Sequence, residues 1–262
     1  MKQGQNRLYI EGNLLSTGIR KATSRSEDPI LCLIKPDTIK FVALSEQLTI
    51  SWEARLPQPA QGHLVFLIPP VVAQLLSSEV VRSQVGVEIV THGEDVVARL
   101  IDHLGHYEIC WKSDLTTFPA PPEFSDLIKV PEALIDVPYI KIADATHEAV
   151  AKLVHMEADE HIHRTKLAIL IDLDFGRLCV DGQEIVGIES SRYYFDPRLV
   201  IRALECIQDR IVRVGVTPSR RGNRRAYLSL LTTQDGWTVH CALLSIGRDT
   251  QMLYPLPPGR GR

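Results

Sequence analysis

FLIPPVVAQLL (Phe66–Leu76) and YYFDPRLVIRAL (Tyr193–Leu204) decide how this chain is read. Each stretch is an apolar strand end, a corner marked by proline, and a helix. Proline is tolerated in the first turn of a helix, where its missing N–H would be unpaired anyway. The corner prolines, Pro70 and Pro197, lie half a chain apart, so one structural phrase occurs twice. At that offset the helix faces slip, with Leu75 falling opposite Arg202. The repeat is therefore one of element order, not of residue identity.

Working outward from the first corner, NRLYIEG alternates as a strand does, and NLLSTGIRKATS places Leu14, Leu15, Gly18, Ile19 and Ala22 on one helical face. PILCLIKPDTIKFVAL gives two strands about the turn Lys35–Pro36–Asp37, and QLTISWEARL and GHLVFLIP give two more. After the helix PVVAQLLSSEV, three strands follow, with turns at His92–Gly93 and Leu104–Gly105. Around the second corner, YIKIADA is predicted as a strand, with Asp144 capping the helix THEAVAKLVHMEA. Paired strands turn at Phe175–Gly176 and Asp181–Gly182 before the helix DPRLVIRALECI. Three strands close the half, turning near Arg221–Gly222 and Asp235–Gly236. Between the halves, Ser113–Pro138 holds five prolines, which forbid a long regular element and predict a linker. The expected organisation is thus an N-terminal domain over 1–117, a Pro-rich connector over 118–138, a C-terminal domain over 139–248 and a flexible tail over 249–262.

Composition bounds the rest. A 45% hydrophobic and 23% charged chain of 262 residues is ordinary globular material, with length for one large or two smaller domains. The longest apolar runs, such as Leu167–Ile171, are far too short for a membrane helix, and the N-terminus has no apolar signal-peptide core. Five cysteines without CxxC spacing, mostly inside apolar runs, read as buried thiols in a reducing compartment. That gives a cytoplasmic expectation with no membrane partner. A net charge of −3 means that any nucleic-acid contact must come from local basic patches.

A repeated β-α-β-β-β-α-β-β-β unit, in two tandem α+β domains, resembles the DNA-clamp (processivity-fold) architecture of DNA sliding clamps. Several phrases are similar to the bacterial DNA polymerase III beta-subunit family: LYIEGNLLSTGIRKA to its opening strand and helix, WKSDLTTFPAPPEF to its first interdomain junction, and CVDGQEIVGI (Cys179–Ile188) to its T-D-G-H-R-L turn. FDPRLVIRALECIQDRIVRVGV is similar to its last-domain phrase. The order holds over about residues 7 to 247. The bacterial family carries three such domains per chain, whereas this chain carries two, the count of archaeal and eukaryotic clamps. The resemblance then implies a homotrimer closed by head-to-tail contacts.

What the resemblance implies is a non-enzymatic, cofactor-free ring on double-stranded DNA. Such a ring is sequence-independent, nucleoid-associated and served by a clamp loader. It tethers DNA polymerase or repair proteins through short peptide motifs. Basic side chains on ring-lining helices would touch phosphates. The candidates are Arg20, Lys21, Lys152, Arg198 and Arg202, with Arg82 and His155 on the same helices. Arg198 and Arg202 are four apart and share a face. The competing reading is an ordinary solvated helix surface, since Glu79, Glu148, Glu157, Glu205 and Asp209 lie among these cations. SRRGNRR is the densest basic cluster, and Arg220, Arg221, Arg224 and Arg225 around Gly222 either grip phosphate or keep a hairpin tip soluble. By resemblance, a partner-peptide pocket would use Gly182, Gln183, Ile185, Leu244 and Ile246; plain core packing is the alternative. Gln183 and Glu184 stand where the family has His and Arg, making such a pocket more acidic. In the tail, Gln251–Leu256 resembles a clamp-binding peptide, against the plainer reading of a disordered Pro/Gly/Arg end.

Two other function classes compete with this one. For an enzyme, HMEADEHIHR gathers His155, His161 and His163, but their spacings of 6 and 2 suit no helical zinc site, so no metal is expected. No GxSxG elbow, P-loop or dinucleotide GxGxxG occurs in a strand–turn–helix context. The third class is a clamp-fold interaction scaffold that does not close a ring on DNA.

Overall fold

The computed structural model describes residues 6–24, 28–45, 48–60, 62–101, 106–118, 124–131, 134–157, 169–172, 178–180, 183–186, 192–207, 209–218 and 226–245. Between 151 and 194 it describes only the backbone course of the elements. Two compact units result: Met1–Phe124 with Thr233–Val239, and Ser125–Thr232 with His240–Arg262.

The first unit runs β1 (Asn6–Ile10), α1 (Gly12–Thr23), β2 (Ile30–Ile34), β3 (Thr38–Ser45), β4 (Leu48–Arg55), β5 (Leu64–Ile68), α2 (Pro70–Leu76), α3 (Glu79–Arg82), β6 (Gly86–His92), β7 (Asp95–Ile101) and β8 (His106–Lys112). Its sheets are antiparallel, in the orders β1-β6-β7-β8 and β5-β2-β3-β4. Each sheet therefore takes one strand from the other repeat: β1 joins the later strands through Leu8↔Ile89, and β5 joins the earlier ones through Cys32↔Phe66. Alternation makes one face of each sheet apolar, and Phe41, Phe66, Ile39, Ile50, Val87 and Ile89 lie buried on those faces. Helix α1 covers this core with Leu15, Ile19 and Ala22 and packs against α2 and α3.

Two glycines set how closely α1 sits. A Cβ on Gly12 would lie 2.1 Å from the Val81 carbonyl oxygen, and one on Gly18 would lie 2.2 Å from Phe41 Cε2 and 2.7 Å from Trp237 Cη2. Trp237 and Phe41 stack in a tilted pair at 6.2 Å. The helix predicted over Pro70–Val80 is two: it stops at Ser77 and restarts at Glu79. Ser77 Oγ donates to the Gln74 carbonyl, and serines in that position compete with the helical ladder.

The second unit runs α4 (Phe124–Leu127, its first residue in the first unit), β9 (Ile135–Pro138), α5 (Tyr139–Glu157), β10 (Ile169–Asp172), β11 (Leu178–Val180), β12 (Gln183–Val186), β13 (Arg192–Phe195), α6 (Pro197–Glu205), β14 (Ile211–Pro218), β15 (Ala226–Gln234) and β16 (Trp237–Leu244), of which the hairpin end Thr233–Val239 belongs to the first unit. The exchange of strands recurs: β9 pairs with β14 through Val137↔Val212, and β13 pairs with β10 through Leu170↔Tyr194. The orders are β12-β11-β10-β13 and β9-β14-β15-β16. Asp235 and Gly236, at φ 52° and 78°, form the tight turn between β15 and β16.

One sequence expectation is corrected here. The predicted strand Tyr139–Ala145 is the first two turns of α5, and the strand lies just before it, at Ile135–Pro138. Ile142, Ala143 and Thr146 are buried at helical spacing, so Asp144 projects outward from the helix and does not cap it. The proline-rich stretch is likewise more structured than a linker. It holds a 3-10 turn at Leu115–Thr117, an edge-to-face Phe118–Phe124 pair at 5.3 Å, α4 and β9. Five prolines limit the length of an element without forbidding short ones.

Candidate nucleic-acid and partner surfaces

Helix α6 shows how the second corner builds a cationic face. Asp196 is its N-cap, with Oδ1 accepting from the Arg198 N–H at 2.9 Å, and Pro197 opens the first turn. Leu199, Val200, Ala203 and Leu204 turn into the core. The same 3.6-residue period places Arg198 and Arg202 together on the exposed side, with Glu205 nearby on the exposed surface. Helix α5 packs against α6 and exposes Lys141, Asp144 and His147. Lys152 belongs to α5, but its side chain lies outside the described residues. Lys141 falls in the segment that the sequence predicts as a strand; the apolar spacing of Ile142, Ala143 and Thr146 is the signal of a helix there.

The helices of the first unit are differently equipped. Arg20 is exposed and Lys21 half-buried, both in the last turn of α1, off its buried face. Arg20 Nη2 lies 3.1 Å from Glu79 Oε1 and donates to the Ser77 carbonyl at 3.2 Å. Arg82 Nη1 reaches the same Glu79 oxygen at 3.2 Å. Hydrogen bonds from Arg20 and then Arg82 hold the Glu79 carboxyl below its usual range. Helix α2 contains no charged residue, and Val71 and Leu75 stand exposed on it at 70% and 52%. The basic segment with Arg220, Arg221, Arg224 and Arg225 lies outside the described residues, beyond the last β14–β15 pair, Pro218↔Ala226.

Of the expected pocket residues, Leu244 is described. It is half-buried at the end of β16, against a cluster of Leu127, Tyr227 and Ala242. Leu127 comes from α4, so the proline-rich stretch supplies an apolar anchor that the sequence reading did not assign. Next to it, the Ala226 N–H donates to Ser245 Oγ at 2.8 Å and the Ser245 N–H to the Ala226 carbonyl, closing this end of the hairpin. Gln183 and Ile185 lie on β12, described by backbone alone. Gly182, Ile246 and the tail segment Gln251–Leu256 lie outside the described residues, as do His161 and His163. Among the described residues no group of His, Cys, Asp and Glu is placed to hold a metal ion, and no helix is long and apolar enough to cross a membrane.

No protein-family model matches the sequence, and no curated protein does. Solved structures do match in fold. The DNA polymerase sliding clamp of Bacillus subtilis superposes with a TM-score of 0.62 at 12% identity, covering 97% of this chain and 67% of the clamp. The sliding clamp of Pseudomonas aeruginosa gives 0.58 at 14% identity, covering 92% and 66%. A protein of Eubacterium rectale described as a putative DNA polymerase III beta subunit gives 0.56 at 11%, covering 94% and 67%. This chain thus spans about two thirds of the length of the clamps it resembles. The strand exchange within each unit, the helix pairs and the extent of these superpositions agree: the fold of this chain is that of the DNA polymerase sliding clamps.

Proposed function

We propose that this protein is a DNA sliding clamp or a clamp-like processivity factor. In this reading it encircles duplex DNA without reading sequence and tethers polymerase or repair proteins through a peptide-binding surface. The observation that carries the reading is the clamp fold across almost the whole chain, built twice over from one element order. Such a protein performs no covalent chemistry and needs no cofactor; a loader opens the ring, and its place is with the DNA in the cytoplasm. Chains of two clamp-type domains close a six-domain ring as a homotrimer, head to tail. Arg198, Arg202 and Lys152 would meet phosphate from the second unit, Arg20 and Lys21 from the first, and the arginines of 220–225 from their hairpin. The partner peptide would lie on Leu244, next to Leu127, with Gly182, Gln183, Ile185 and Ile246 completing the pocket.

The test is retention on DNA at rising salt, using nicked circular and linear duplex of equal length. A topological ring stays on the circle and slides off the free ends. Equal, salt-labile retention on both would overturn ring closure. The second reading, a clamp-fold interaction scaffold, is favoured by one observation: α2 presents Val71 and Leu75 where a DNA-facing helix would present cations. A scaffold would show no retention on either template.

A further inference from the structure

Arg20 and Arg82 lie on different helices, yet their guanidinium groups converge on a single oxygen, Glu79 Oε1, at 3.1 and 3.2 Å. All three side chains are at the surface, exposed by 47%, 45% and 74%. Two guanidinium groups directed at one anionic oxygen make the donor set that binds a phosphate, because their planar N–H forks match its oxygens. Here the anion is supplied by the chain itself. An ion pair this exposed adds little stability, so a denser external anion can displace the carboxylate. Helix α2 carries no charged residue of its own.

We infer that Glu79 is a built-in phosphate mimic: it occupies the Arg20–Arg82 pair and sets how strongly the first unit grips the duplex backbone. This rests on the reading of the protein as a DNA-binding clamp. While Glu79 is charged, the cluster carries one net positive charge. When a backbone phosphate takes its place, both arginines are engaged, at the cost of leaving the carboxylate close to an anion. Glu79 thereby keeps the first unit's hold weak and exchangeable, as sliding requires.

The experiment measures binding of the full-length protein to a nicked circular duplex, on which a ring is retained, over a salt series, for wild type, Glu79→Gln, Arg20→Ala/Arg82→Ala, the triple variant and Arg198→Ala/Arg202→Ala. Glutamine keeps the size of Glu79 and an acceptor oxygen but carries no charge. The expected result is an affinity about threefold to tenfold higher for Glu79→Gln at low salt. The slope of log K against log salt should steepen by about 0.9 for each phosphate gained. The triple variant should lose that gain. A gain that survives in the triple variant would overturn the inference, since it would come from net charge alone. An unchanged Glu79→Gln slope, with Arg198→Ala/Arg202→Ala still weakening binding, would overturn the inference and leave the clamp reading standing. If no variant, wild type included, bound duplex at any salt, both would fall.

Discussion

Gly18 sits in the middle of a helix, where alanine is ordinarily the better residue by about 1 kcal/mol. Its surroundings reverse that preference. The Phe41 ring stands 2.2 Å from where a Cβ would be, and Trp237 stands 2.7 Å away. Gly18→Ala is therefore expected to destabilise the protein by about 1–3 kcal/mol through overpacking, read as a lower urea midpoint at constant slope. A higher midpoint would mean that the aromatic pair retreats without cost. The thiols give a second check at this scale. Burial pushes the Cys32 thiol well above its usual range, and Cys206 and Cys241 are buried as well, whereas Cys110 is exposed. Since the thiolate is the reactive form, maleimide labelling with peptide mapping should modify Cys110 in the native protein. Cys32, Cys206 and Cys241 should react only on unfolding. Early labelling of Cys32 would contradict the packing of β2 against β3 and β5.

The two Pro-marked corners behave differently as elements. Both helices carry proline in the first turn, but only α6 has a side-chain cap, from Asp196; Pro69 offers none to α2. Asp196→Ala should cost about 1 kcal/mol and fray the turn that presents Arg198. Thermal unfolding would show the loss, and hydrogen exchange would localise it to the start of α6. A uniform change across the unit would argue against a capping role. Helix types and most strands here were legible from spacing, because Leu199, Val200 and Ala203 recur at helical period and QLTISWEARL alternates as a strand does. The start of α5 was not, since Tyr139–Ala145 is rich in residues that suit either state and only the partners of Ile142 and Ala143 decide between them.

For the whole molecule, the expected assembly is three chains of 29.4 kDa. Light scattering behind a sizing column, across a concentration series, should return a stable mass near three chains. A monomer at every concentration would sink the closed ring and favour the scaffold reading. The chain's order of elements, its two corners and the place of its proline-rich stretch could all be read from the sequence, because they follow from local periods of hydrophobicity and from residues that restrict the backbone. The exchange of β1 and β5 between the two sheets of the first unit could not, nor could the contact of Leu127 with Tyr227 or the convergence of Arg20 and Arg82 on Glu79. Each joins residues far apart in the chain. Such contacts depend on which faces the folded core brings together, and no local pattern of side chains records that.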